Sequence, residues 1–217
     1  MVDTSIFKLR RFLTLVLAAV LVVGAGSAYW WNRADIKAQR NLTATAQVVV
    51  LDEPHELGAF HLMSVQGQDF SLAQLLNKWN IVFFGYLNCP DVCPGTLSVL
   101  QMAAREIPAA LDHYRFIFVS VDPQRDTPEK LKEYVKYYHT AFIAVTGGHD
   151  QLSSFAQQLF VEYDILRDDA SSKYAVEHTA NLLIIDPKGR LRAAIHPPLS
   201  IELVKNTLIN LRQAYAD

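Results

Sequence analysis

The chain's two cysteines, Cys89 and Cys93, share one short stretch, GYLNCPDVCP at 85–94. Ahead of it, Ile81-Val82-Phe83-Phe84-Gly85-Tyr86 has the length and the β-branched, aromatic character of a buried strand. Behind it, Leu97, Leu100, Met102, Ala103 and Ala104 recur at the spacing of one helix face. The cysteines therefore fall at a strand-to-helix junction. Pro90 and Pro94 stiffen the loop, and Pro94 suits a first helical turn, where a missing N–H costs little. Two side chains four residues apart lie one helical turn apart on the same side. Because helix N-termini favour thiolate over thiol, the expectation is a pair of convergent, partly ionised sulfurs. Such a pair can close a disulfide reversibly or hold a soft metal ion. The alternatives are a structural disulfide or two inert core thiols.

The rest of the chain alternates strands with helices. Leu57 to Phe70, with a turn at Gly67, reads as a small hairpin, and Ser71 can cap a short helix through Leu72, Leu75 and Leu76. Arg115–Val121 is a second buried strand, and Thr127 with Pro128 opens a helix carrying Leu131, Tyr134, Val135 and Tyr138. A third strand at Phe142–Thr146 precedes a helix with Leu152, Phe155, Ala156, Leu159 and Phe160 on one face. Leu166–Ala175 is polar and reads as loop. Asn181–Asp186 and Leu191–Ile195 form a closing hairpin around Pro187–Arg190, and Ser200 opens a last amphipathic helix. This order predicts an α/β fold with a mixed central sheet flanked by helices, with cysteines after the first core strand as in the thioredoxin plan. With no internal repeat or low-complexity tract, Leu57–Asp217 reads as a single domain.

The segment from Phe12 to Trp31, FLTLVLAAVLVVGAGSAYWW, contains no charged residue. About twenty apolar residues span a bilayer as a helix. Lys8, Arg10 and Arg11 precede it, which leaves residues 1–11 in the cytoplasm and exports the remainder. Gly26-Ser27-Ala28 resembles a signal-peptide cleavage point, but the long apolar run and the interfacial Tyr29-Trp30-Trp31 favour an uncleaved single-pass anchor. Without a long amphipathic presequence, the expected location is a bacterial inner membrane, with residues 32–56 as tether and the C-terminal domain in the periplasm. Outside the cytoplasm a cysteine pair oxidises unless a metal or a reductant intervenes. With 20 basic against 22 acidic residues, the charge balance gives no sign of nucleic-acid binding.

Three separated motifs stand in order: GYLNCPDVCP at 85–94, FIFVSVDPQRDTP at 116–128 and VEHTANLLIIDPKGRLR at 176–192. On these the region from Leu57 onward resembles the SCO/SenC family, thioredoxin-fold copper chaperones of cytochrome c oxidase assembly. The family often carries Thr-His where this chain has Leu87-Asn88, and Ser where it has Thr179. The resemblance implies a copper site, for Cu(I), Cu(II) or both, made of Cys89, Cys93 and His178. Two thiolates and an imidazole suit that metal. Residue chemistry alone does not single out His178 among seven histidines. The implied function is that of a membrane-tethered metallochaperone, delivering copper to the dinuclear copper site of an oxidase subunit. Other copper chaperones or thioredoxin-like reductants are possible further partners.

The alternative is an enzyme, a thiol-disulfide oxidoreductase in which Cys89 attacks and Cys93 resolves, reducing the oxidase cysteines or sensing redox state. Against it, such enzymes usually carry CxxC and a cis-proline ahead of the facing strand, where this chain has His178-Thr-Ala-Asn. A peroxidase-like use of Cys89 lacks an activating Thr or Cys with Arg. His61 and Met63 are read as an ordinary strand pair rather than a copper relay. Asp91 is expected to modulate the cysteine loop. Asp122, Arg125 and Asp126 are either a charge cluster near the site or local caps and bridges.

Overall fold

The computed structural model describes residues 47–107, 110–167, 174–178 and 180–215. They belong to a compact unit, Leu42–Asp217. The other unit, Met1–Asn41, holds the stretches read as n-region and membrane anchor and lies outside the described residues. Among the described residues, no helix is long and apolar enough to cross a membrane.

In chain order the strands are β1 (Val48–Glu56), β2 (Leu62–Ser64), β3 (Asp69–Phe70), β4 (Trp79–Gly85), β5 (Tyr114–Ser120) and β6 (Ile143–Thr146), then β7 (Tyr163–Arg167), β8 (Tyr174–His178), β9 (Leu182–Ile185) and β10 (Arg190–Ile195). The helices are α1 (Leu72–Leu75), α2 (Val92–Glu106), α3 (Ala110–His113), α4 (Pro128–Tyr138), α5 (His149–Gln158) and α6 (Ile201–Ala214). The main sheet runs β1-β10-β9-β4-β5-β6-β2-β3, while β7 and β8 pair as a separate antiparallel hairpin. The anticipated mixed α/β architecture is present: β4 pairs parallel to β5 and antiparallel to β9.

Strand β4 is buried along its whole length, which explains its unbroken apolar run. Its side chains alternate between two cores. Ile81 and Phe83 enter one with Leu97, Leu100, Leu131 and Leu208, while Val82 and Phe84 enter the other with Leu75, Phe155 and Leu159. Helix starts follow the chemistry read from the sequence. Thr127 Oγ1 accepts the Lys130 N–H at 3.5 Å, with Pro128 as first helical residue, and Ser200 Oγ accepts the Leu203 N–H at 3.2 Å.

Two stretches differ from the sequence reading. Val48–Glu56, taken as the end of a tether, is an edge strand paired with β10, so the folded unit starts ahead of Leu57. Its burial pattern lacks the alternation that flags a half-buried strand, because an edge strand with a register shift between Val50 and His55 presents polar groups on both sides. Leu166–Ala175, read as loop, contributes both ends to the β7–β8 hairpin. Its strands carry charges, and the pairing supplies the order that apolar periodicity does not.

The sheet's directionality places the functional end. Phe83 pairs with Leu182, Leu182 with Ile195, and Ile195 with Val48. The start of β1, the start of β9 and the end of β10 therefore share the end of the sheet at which β4 hands over to the cysteine loop.

Candidate metal centre

The site is built on the exit of β4. Gly85 ends the strand because nothing larger fits: a Cβ there would lie 2.8 Å from Cys93 Sγ and 2.8 Å from Phe118 Cε2. The loop then turns through Leu87 and Asn88, with the Cys89 N–H donating to the Tyr86 carbonyl at 3.3 Å. Helix α2 begins at Val92, with Asp91 as its N-cap residue making no side-chain cap bond. Cys93 thus occupies the second helical position, and Pro94 lies in the first turn as its chemistry requires.

The structure brings the two sulfurs together as thiols, with no disulfide between them. The Cys93 N–H points to Cys89 Sγ at 3.4 Å. Cys93 is fully buried, while Cys89 is partly exposed and packs against both cores. This corrects the expectation of two partly ionised sulfurs. Burial pushes the Cys93 thiol far up, a backbone hydrogen bond from Tyr86 works the other way, and neighbouring Cys89 and Asp126 push it further up. Desolvation therefore outweighs the helix N-terminus. Tyr134, whose ring packs 5.8 Å from Phe118, is pushed up mainly by burial, then by Tyr138 and the two cysteines.

The Asp122–Asp126 turn does more than bridge locally. Asp126 is buried, and its Oδ2 accepts both the Leu87 N–H at 3.0 Å and the Ser120 hydroxyl at 2.7 Å. It ties the cysteine loop to the end of β5. Burial raises its carboxyl above the ordinary range, the two hydrogen bonds partly offset this, and Asp122 adds to it. Asp122, also buried, pairs with Arg125, whose guanidinium lies 5.8 Å from the Tyr86 ring centroid. Sequence reasoning left Asp126 open between a charge cluster near the site and a local cap. Its contact spans 39 residues, which no local pattern encodes.

His178 is placed through its backbone. It ends β8 opposite Tyr163, four residues before Leu182, whose partner on β4 is Phe83. That is the end of the sheet carrying the cysteines, but its side chain lies outside what is described. Among the described residues, no group of three His, Cys, Asp or Glu side chains is gathered to hold a metal ion. His61 and Met63 do not join the cysteines: His61 sits 3.5 Å from Asp69, and Met63 is on β2, across β5 and β6 from β4.

A mixed sheet that delivers one thiol from a loop and a second from the first turn of the next helix suits soft-metal binding or thiol exchange. The family model described as SCO1/SenC matches residues 50–212, and the chain belongs to that family. It is 36% identical over 201 residues to the mitochondrial protein SCO2 of Saccharomyces cerevisiae, covering 89% of this chain and 64% of that one. Among solved structures, it resembles Arabidopsis thaliana ScoI with copper bound, at 29% identity and a TM-score of 0.66, over 72% of this chain and 98% of that one. It also resembles apo Sco1 from Thermus thermophilus, at 33% identity and a TM-score of 0.68, over 78% and 96% of the respective chains.

Proposed function

We propose that this protein binds one copper ion through Cys89, Cys93 and His178 and passes it to the dinuclear copper site of a cytochrome c oxidase subunit. One observation carries the reading: the paired thiols at the end of β4, in a chain whose family includes a protein solved with copper bound. The donor set fits. Two convergent sulfurs, one from the loop and one from the first turn of α2, suit Cu(I), and an imidazole extends the site toward Cu(II). A bound cation also resolves the burial of Cys93, since it replaces the proton that the thiol otherwise keeps.

The residues divide the work. Cys89, partly exposed, is the sulfur an incoming ligand reaches first, and Cys93 holds the ion from within the core. Transfer then proceeds by exchange, with partner thiolates displacing these one at a time. Asp126 keeps the loop in register. Residues 12–31 anchor the protein in a bacterial inner membrane, and the folded unit works on the periplasmic side as a carrier rather than an enzyme.

The asymmetry of the pair favours one second reading. An exposed thiol backed by a buried one is also the arrangement of a thiol-disulfide oxidoreductase, in which Cys89 attacks and Cys93 resolves. Anaerobic copper loading of the reduced full chain, dialysed against a competing chelator, separates the two. One retained copper, lost or weakened at least tenfold in His178→Ala, is the expected result. Loss of copper from both proteins, with rapid reduction of a partner disulfide, would establish the oxidoreductase instead.

A further inference from the structure

The hairpin of β2 and β3 carries a second set of metal donors, separate from the thiols. Phe60, Leu62 and Phe70 are buried, and Leu62 pairs with Phe70 across the hairpin. Side chains alternate along an extended chain, so this inward set turns His61, Met63 and Asp69 outward. All three are exposed. Met63 stands directly opposite Asp69, which sets their Cβ atoms about 5 Å apart. His61 Nε2 lies 3.5 Å from Asp69 Oδ1. That gap is longer than a hydrogen bond. It matches two donors sharing one ion: at a tetrahedral angle, bonds of about 2.1 Å leave roughly 3.4 Å between the donor atoms.

The hairpin holds these donors in place. The Ser64 N–H donates to the Gln68 carbonyl and the Gly67 N–H to the Ser64 carbonyl, each at 2.9 Å. Gly67 takes the positive φ of 75° that the turn requires. Donor chemistry then selects the ion. A thioether binds soft cations, an imidazole accepts them, and a hard divalent ion gains little from sulfur. A single carboxylate balances a single positive charge.

We propose that His61, Met63 and Asp69 form a surface site for one soft monovalent cation, Cu(I) or its analogue Ag(I). The site lies at the cysteine end of the sheet. Gly85 pairs with Ser120, whose carbonyl accepts the Thr146 hydroxyl at 3.2 Å, and Thr146 pairs with Met63. Strand β2 follows β5 and β6 outward from β4, roughly 14 Å away at the usual strand spacing. The inference stands whether or not copper occupies the cysteines.

Carbon-13 labelling of the methionine methyl groups tests it in the full chain, held in non-ionic detergent, because the sequence contains only Met1, Met63 and Met102. Cys89→Ser and Cys93→Ser remove the thiols that silver would enter first, and Met63→Leu assigns the signal. Silver nitrate in chloride-free buffer should shift the Met63 methyl saturably, complete at one equivalent, while Met102 stays in place. His61→Gln and Asp69→Asn should each weaken that response at least fivefold with the thermal midpoint unchanged. Zinc sulfate should leave the Met63 methyl where it was. If the serine substitutions unfold the chain, the unsubstituted protein, its thiols already filled with silver, reads the same methyl. A Met63 methyl that does not move, that moves at the same midpoint as Met102, or that ignores both substitutions would overturn the proposal. So would an equal response to zinc.

Discussion

Each end of the central sheet is organised by a buried aspartate near a strand terminus, and the two are satisfied differently. Asp186 is saturated: both oxygens accept, from two backbone N–H groups and from Arg190. Asp126 is not. Its Oδ2 accepts twice, while Oδ1 is buried with no hydrogen-bond partner, and its carboxyl is pushed up mainly by burial. Buried polar groups are normally paired, so an exception marks a place where stability has been ceded. The saturated aspartate locks the turn between β9 and β10. The under-satisfied one sits beside the cysteine loop, bonded to its Leu87 N–H.

The contrast predicts a graded response to mutation. Asp186→Ala should cost most, roughly 3 kcal/mol in urea denaturation, because it strips a buried ion pair from Arg192 and the acceptor from two backbone donors. A loss under 1 kcal/mol would show that Asp186 is not the structural anchor. Gly85→Ala should follow at about 2 kcal/mol, since the added methyl meets a sulfur and a ring edge with no room to yield. It should also speed alkylation of Cys93, which the same contact keeps covered.

Asp126→Ala should cost only about 1 kcal/mol, because relief of an unfavourably buried carboxylate offsets the acceptor lost to Leu87 and Ser120. Its larger effect should be on the loop, seen as faster exchange of the Leu87 amide. Unchanged exchange would break the proposed tie between Asp126 and the site. A further effect concerns pH. Folding pushes the Cys93 thiol up, so its contribution to stability is complete below the ordinary thiol value of about 8.5 and is lost as pH rises above it. Stability of the reduced protein should fall between pH ~8 and ~10 more steeply than that of Cys93→Ala; equal slopes would show that Cys93 ionises normally.

Much of this was legible in the sequence, for physical reasons that also set its limits. Strand β4 declared itself because burial on both faces leaves no polar position, and α4 and α6 declared themselves through Thr127-Pro128 and Ser200. Val48–Glu56 did not, since an edge strand shows no clean alternation, and nor did the β7–β8 hairpin, whose sequence is interrupted by Asp164, Arg167 and Glu177. At the site, the juxtaposition of Cys89 and Cys93 followed from spacing at a strand-to-helix junction. The protonation of Cys93 did not, because how deeply the first turn of α2 sinks depends on Phe118, contributed by another strand. His178 came from family resemblance alone; it ends β8, four residues ahead of Leu182, whose partner on β4 is Phe83.

Cys89 touches both hydrophobic cores, at the seam where the two faces of the sheet meet. Interiors packed this tightly transmit small displacements. A displacement of the Cys89 side chain therefore disturbs packing on both faces of the sheet at once.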